Sequence, residues 1–444
     1  MDSTASKGIS RRSFVKGAVM AAAAPYIIPA SALGAKEKAA AGERLVIGLV
    51  GCGGQGRGVM GGALEQKDTQ VVAVCDVNAQ NLAKAKEMVD GTYGNTDCAT
   101  CKDFRELVAR PDLDAVIIGT PDHWHALVSI AAAKAKKAIY CEKPLTWSLG
   151  EGKAVVKAVK ENKVVFQTGS MQRSWREFKL ACELVRNGYL GKITHISVGL
   201  PNGSDAKWVD EYPAPPEHLD YDFYVGPAEW VAYHPDRLDW NWRWWMGFGG
   251  SQMMDWIGHH GDIAHMAMGW DETGPEEITP VMCEMPRGRN NLYNAWGKYL
   301  FECKYADGVT MTVGSMSEMP DVFRKCGDTG TQFFNKQGDW IYVSRKGCQA
   351  SDPEILKTKM RDRDFRFRVQ RNHMRDWLDC VRKGEECIAP AHAGHRSASI
   401  GHLGKLALTL DAKLKWDPKK ELFIDNDAVN GLLTRKYRGD WKLD

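Results

Sequence analysis

An apolar run that passes straight into a glycine-rich turn leaves few folds open to this chain. Residues 44–50 read RLVIGLV, and residues 51–56 read GCGGQG. In such a unit Gly51 permits the tight turn and Gly53 lets backbone approach a pyrophosphate. Gly56 then lets the following helix pack closely on the strand. The start of that helix offers free N–H groups and the positive end of its dipole to phosphate. Asp76 ends the next apolar run, TQVVAVCDV. It lies about 20 residues beyond the glycines, where an acid accepts hydrogen bonds from the adenosine ribose. It would also repel a 2′-phosphate, and residues 77–80, VNAQ, bring no Arg to offset this. The expected cofactor is therefore NAD, with NADP disfavoured.

The alternation continues. LDAVIIGT, KAIYCEKP and KVVFQTG read as further buried parallel strands. AQNLAKAKEMVDG, DFRELVAR, HALVSIAAAKAKK and GEGKAVVKAVKEN read as the helices between strands. This βαβ pattern predicts a doubly wound parallel sheet, an NAD-binding Rossmann domain over residues 42–165. From 166 to 444 the texture changes. A helix, SWREFKLACELVRNGYLG, precedes a strand, ITHISVGL, and a Pro- and Trp-rich stretch runs to about residue 250. GKYLFECKYADGVTMTVGS and GDWIYVSR then alternate around Asp-Gly and Gly-Asp turns, which predicts antiparallel sheet. HMRDWLDCVRKG and GHLGKLALTLDAKLK read as helices. The expected class is α/β: an N-terminal doubly wound sheet plus a C-terminal α/β domain with a large, mainly antiparallel open sheet.

Residues 10–16, SRRSFVK, precede an apolar run and the small-residue site Ala30-Ser31-Ala32. That layout predicts a twin-arginine signal peptide over residues 1–35, use of the twin-arginine export machinery, and a periplasmic or otherwise exported protein. The formal charge of +3 resides in the leader, in Lys7, Arg11, Arg12 and Lys16 against Asp2. The remainder is near neutral and carries no basic footprint for nucleic acid. No apolar stretch reaches the ~18 residues that span a bilayer. Of the 12 cysteines, Cys52, Cys75 and Cys141 sit in or beside apolar runs, where a thiol behaves as a small hydrophobe. The pair Cys98-Ala99-Thr100-Cys101 lacks the second CxxC of a zinc site. It is read as a loop and helix start, with a local disulfide as the alternative, and no metal is expected.

Two further loops follow strands: Thr120-Pro121-Asp122-His123-Trp124-His125 and Glu142-Lys143-Pro144. DWIGHHGD follows at 255–262. With GxGxxG, TPxxxH, EKP and DxxxHxxD in this order, residues 44 to 440 resemble the Gfo/Idh/MocA family of sugar oxidoreductases. They are most similar to an exported branch with twin-arginine leaders, a Trp-rich middle, and QTGxxxR, present here as Gln167 to Arg173. The resemblance implies acid/base work by Lys143 and His259, with Asp255 orienting them or sharing a proton. It implies cofactor contacts from Gly51, Gly53, Gln55, Gly56, Asp76, Thr120, Pro121, Asp122, His125, Glu142, Lys143 and Gln172. It also implies a homo-oligomer built on the open sheet. Asp122 is a departure, since much of the family has Asn there.

Asp255, His259 and Asp262 are spaced i, i+4, i+7, which on a regular helix puts them on one face. Beside a cationic nicotinamide the Lys143 ammonium should be destabilised and better able to take a hydroxyl proton. LDWNWRWWMGFGGSQMMDW holds Trp240, Trp242, Trp244, Trp245 and Trp256. Aromatic faces pack on the C–H faces of sugars, and Arg243 can donate to their hydroxyls. The expected substrate contacts are Arg173, Arg243, Trp244, His260 and Asp262. The same residues serve two reactions on a sugar or glycoside: net hydride transfer giving a keto-sugar, or a hydrolase or lyase that oxidises transiently and returns the hydride. A non-catalytic sugar-binding protein is the third possibility on such a fold. Soluble NAD is scarce outside the cytoplasm, so export favours a tightly held cofactor that returns to its starting state.

Overall fold

The computed structural model describes residues 40–286, 291–370 and 372–443. The expected SRRSFVK leader lies outside the described residues. Residues 45–444 form one unit that holds two sheets.

The first sheet has six strands: β1 (Leu45–Val50), β2 (Thr69–Cys75), β3 (Ala99–Cys101), β4 (Ala115–Ile118), β5 (Ala138–Cys141) and β6 (Phe166–Thr168). Their order is β3-β2-β1-β4-β5-β6, and all neighbours are parallel. Helices α1 (Gly54–Leu64), α2 (Ala79–Tyr93), α3 (Phe104–Val108), α4 (Asp122–Lys134) and α5 (Leu149–Asn162) alternate with these strands. Every residue of β4 and β5 is buried, which is why these runs read as continuously apolar. Strand order reverses between β1 and β4, and that switch point opens the crevice where such sheets bind ligands.

One strand departs from the sequence reading. Residues 99–101 are β3, not a loop, and α3 starts only after Asp103, whose carboxylate accepts from the Arg105 N–H. Three residues are too few to show a period. Pairing with β2 (Ala73 with Ala99, Cys75 with Cys101) decides the conformation. Cys98 and Cys101 are free thiols, so the local disulfide is not formed.

The second sheet has nine strands: β7 (Ile193–Leu200), β8 (Glu277–Glu284), β9 (Lys298–Lys304), β10 (Thr310–Ser315), β11 (Gly330–Asn335), β12 (Trp340–Ser344), β13 (Gly347–Ala350), β14 (Leu414–Asp417) and β15 (Leu422–Phe423). The order is β13-β12-β11-β7-β10-β9-β8-β14-β15. Only the β7–β10 pair is parallel. Its core face meets α6 (Arg176–Arg186), α7 (Ser251–Trp256), a π-helical turn (Ile257–Gly261), α8 (Asp262–Met268) and α10 (Ala391–Leu410). Ile196, Val198, Phe301 and Val313 of the sheet pack there with Phe178, Ile263, Ile400 and Leu403. Helix α9 (His373–Lys383) packs instead with the first sheet, through Met374, Trp377 and Leu378. The helix expected to run through residue 415 stops at Leu410. Asp411 takes a left-handed φ of 47°, and Leu414 then pairs with Ile278 of β8. No helix of the described residues is long and apolar enough to cross a membrane.

The closest approach in the first sheet is at Gly56, where an added Cβ would lie 1.9 Å from the Gly51 carbonyl oxygen. Gly56→Ala should therefore push α1 off β1, at a cost of about 1–3 kcal/mol. Thermal melting and NAD titration check this, and both should weaken together. An unchanged melting temperature with unchanged NAD affinity would contradict the packing described.

Candidate active site

The carboxyl ends of β1, β2, β4 and β5 open on a cleft of about 740 Å³. At one end lies the β1–α1 turn. Gly51 has φ 88°, and a Cβ there would lie 2.5 Å from the Thr120 amide nitrogen. A Cβ on Gly53 would meet nothing within 4 Å, so backbone at that point is open to a ligand. Helix α1 has no side-chain cap, and the N–H groups of its first turn are left for an anion. Thr120 Oγ1 is buried without a partner among the described residues. Asp76 braces the turn: Oδ2 accepts from the Cys52 N–H (2.6 Å) and Oδ1 from the Asn78 N–H (2.8 Å). Each oxygen keeps a lone pair for a further donor. Open glycine backbone, unpaired N–H groups and a carboxylate at the end of β2 fit a dinucleotide.

A roof crosses this end from the Pro- and Trp-rich stretch. Leu219 bridges to Asn78, the Ala79 N–H donates to the His218 carbonyl (2.8 Å), and the Asp220 N–H to the Val77 carbonyl (3.1 Å). Leu219, Phe223, Tyr224 and Leu238 line the cleft from this side. The sequence carries no expected role for residues 218–224, and the aromatics Phe223 and Tyr224 were the available signal.

At the other end, Lys143 Nζ donates to Asp255 Oδ1 (2.7 Å) and to the Asp255 carbonyl (3.0 Å). Arg243 Nε lies 3.2 Å from the same Oδ1. The Arg243 guanidinium rests over Trp240 (3.9 Å) and Trp242 (4.6 Å). Burial pushes the Asp255 carboxyl up, but Lys143 and Arg243 outweigh it and hold it below the ordinary range. Burial, then the charges of Lys143 and Arg345, push His259 well below its ordinary value, so its ring is neutral. His259 Nδ1 has no partner among the described residues. Glu142 accepts from Gln55 Nε2 (3.1 Å), and burial raises its pKa. The His125 ring lies between the carbonyls of Pro144 (2.8 Å) and Thr120 (2.9 Å) and so ties the two loops together. Burial lowers its pKa to about 4, so the neutral ring donates to one of them.

The cleft thus gathers Gly51, Gly53, Gln55, Asp76, Thr120, Pro121, Asp122, His125, Glu142 and Lys143 with Arg243, Asp255 and His259. Trp240, Trp242 and Trp256 line it as well. Gly56 lies behind the turn as a packing residue. Gln172 lies behind His259. In the orientation its neighbours require, its nitrogen donates to the His259 carbonyl (2.9 Å) and its oxygen accepts from Arg345 Nε (3.1 Å).

Four of the expected substrate contacts lie away from the cleft. Arg173 is buried and paired with Asp262 (2.7 Å) and Asp271 (2.7 Å). Asp262 also accepts from Ser397 Oγ (2.5 Å). The π-helical turn at 257–261 explains the discrepancy. Its wider turn breaks the 3.6-residue period, so Asp262 no longer shares a face with Asp255 and His259. His260 is buried flat against Trp256, with ring centroids 5.5 Å apart. Trp244 is buried against Leu292 and Tyr293, and its Nε1 donates to Asn241 Oδ1 (3.1 Å). One residue the sequence reading missed, Arg345, lines the cleft from the turn between β12 and β13.

Residues 45–170 match a profile described as an oxidoreductase family, NAD-binding Rossmann fold. Residues 176–443 match that of the oxidoreductase family's C-terminal alpha/beta domain. The chain is similar to myo-inositol 2-dehydrogenase of Thermotoga maritima, 35% identical over 127 residues, covering 28% of this chain and 36% of that protein. It is similar to a glycosyl hydrolase family 109 protein of Stenotrophomonas maltophilia, 27% identical over 198 residues, covering 43% of this chain and 42% of that one. The matches thus span less than half the length of these curated relatives. Among solved structures it shares the fold of aldose-aldose oxidoreductase from Caulobacter crescentus complexed with glycerol, with a TM-score of 0.59 and 17% identity, covering 84% of this chain and 99% of that one.

Asp122 opens α4 inside the cleft, and burial, then the Asp255 charge, raises its pKa well above the ordinary value. A folded-state pKa above the unfolded one, about 3.9, contributes stability that is full below that pH and lost as pH rises through the folded pKa. Asp122→Asn should therefore melt higher than wild type near pH 8 and no higher near pH 3. Melting curves at both pH values check the sign. A variant less stable than wild type at pH 8 would refute it.

Proposed function

The chain belongs to the Gfo/Idh/MocA oxidoreductase family, and from that premise we propose that it oxidises a ring hydroxyl of a sugar or glycoside with NAD held in this cleft. The observation that carries the reading is the Lys143–Asp255 contact at 2.7 Å with the neutral His259 on the same cleft wall. Bound NAD supplies the hydride acceptor. Lys143, oriented by Asp255, donates to the reacting hydroxyl and holds it in place. His259 is the neutral group able to accept the hydroxyl proton. The faces of Trp240, Trp242 and Trp256 suit the C–H faces of a pyranose. The myo-inositol dehydrogenase among the relatives supports a cyclic polyol or sugar as the substrate class.

A second reading is favoured by the family 109 glycosyl hydrolase among the relatives. There the same residues serve a transient oxidation, the glycosidic oxygen is eliminated with loss of the neighbouring C–H proton, water adds to the resulting enone, and the hydride returns. The roof over the glycine-rich turn supports slow cofactor release in either case. SRRSFVK supports export of the folded protein with its cofactor in place, and the open second sheet supports a homo-oligomer; both belong to the proposal.

Purified protein incubated with aryl glycosides, without added NAD, separates the two readings. A keto-glycoside with stoichiometric NADH marks the oxidoreductase, and aryl release without net NADH marks the hydrolase or lyase. Lys143→Ala is expected to lower either rate by about 10²- to 10⁴-fold while NAD remains bound. Turnover within tenfold of wild type in that variant would reject the assignment.

A further inference from the structure

Arg345 reaches the end of the cleft that holds Lys143, Asp255 and His259. Its guanidinium lies over the Trp256 ring, 4.5 Å from the centroid, with Trp175 at 5.8 Å. Its Nε is held by Gln172 at 3.1 Å, and Gln172 also holds the His259 carbonyl at 2.9 Å. Trp256 meets the His259 ring edge-on, with centroids 5.5 Å apart. Arg345 and His259 thus share one wall, braced by the same two side chains. Stacking and one hydrogen bond at Nε leave the outer edge of the fork for a ligand in the cleft.

The ion pairs found at this end do not include Arg345. Asp255 answers both Lys143 (2.7 Å) and Arg243 (3.2 Å). The other carboxylate whose field reaches Arg345 is Asp328, and Lys346 pairs with it at 3.4 Å. Among the described residues, no carboxylate forms an ion pair with Arg345. A guanidinium stacked on an aromatic face presents two parallel N–H groups that match a carboxylate in a bidentate pair. A phosphate dianion calls for a second free cation, and Lys143, Arg243 and Lys346 are each already engaged.

We infer that the substrate is an acidic sugar, a uronic acid or uronoside whose carboxylate docks on Arg345 while a ring hydroxyl faces Lys143 and His259. The inference rests on the sugar-oxidising reading above and narrows it to substrates carrying one negative charge.

The test uses the full-length, NAD-loaded protein and paired methyl glycosides that differ only at C6: glucuronide with glucoside, galacturonide with galactoside, mannuronide with mannoside. Binding is measured by calorimetry, and turnover by NADH absorbance and mass spectrometry. In at least one pair the acid should bind about 10- to 100-fold more tightly, the worth of one charged hydrogen-bonded contact. Arg345→Gln should erase that preference, with the loss read in the KM of the acid more than in kcat. Arg345→Lys should keep part of it, and the NAD content of both variants checks that the cleft is intact. Equal binding within every pair, a preference that survives Arg345→Gln, or no binding at all would overturn the inference. An Arg345-dependent preference without any oxidised product would keep it and overturn the sugar-oxidising reading instead. Oxidation of neutral and acidic partners alike would do the reverse.

Discussion

The structure turns on one buried carboxylate that serves two cations. Asp255 stands at the end of α7, under the second sheet, and Lys143 stands in the loop after β5 of the first. Their contact at 2.7 Å joins the two halves at the bottom of the cleft. Burying such a pair costs desolvation energy, and the attraction offsets it only with good geometry and further hydrogen bonds. Both conditions are met. Lys143 Nζ also donates to the Asp255 carbonyl, and Arg243 adds a second cation at 3.2 Å. The carboxylate therefore remains ionised in a site where burial raises the pKa of its neighbours Asp122 and Glu142. One wall of the cleft thus keeps a negative charge, while burial disfavours the ionised form of the acids near it.

A second buried network holds this arrangement in register. The π-helical turn that carries His259 departs from regular helix geometry, and such turns persist where the surroundings over-determine them. Arg173 clamps the residue that follows the turn through Asp262 and reaches Asp271 as well, while Ser397 of α10 braces Asp262 from the other side. Arg173 and Asp262 are thus structural supports beneath the cleft floor. Their polar character reflects the cost of a wide turn in a buried helix, met by charge-assisted hydrogen bonds. The roof at the opposite end is held more lightly, by backbone hydrogen bonds between residues 218–220 and 77–79. The floor is thus tied by buried ion pairs and the roof by backbone hydrogen bonds.

Much of this was legible in the sequence because it is local. The strand β1, its glycine turn and Asp76 lie within one βαβ unit. Fully buried parallel strands announce themselves as unbroken apolar runs. What was hidden depends on partners distant in the chain. β3 is a strand only because β2 lies beside it. Asp262 fits the helical spacing in sequence and leaves it in space, because the π-turn is stabilised by Arg173 from another element. Trp240 and Trp244 look equivalent in WNWRWW, yet the short 3₁₀ turn at Asn241–Trp244 leaves one over Arg243 and buries the other beside Tyr293. Arg345 carries no local mark at all in SRKG. It becomes part of the cleft through Trp256 and Gln172, which come from two other segments of the chain. Spacing rules find groups that act through their own helix or turn. A cation left out of the ion pairs among the described residues shows itself only when the partners of the cations around it have been traced in space.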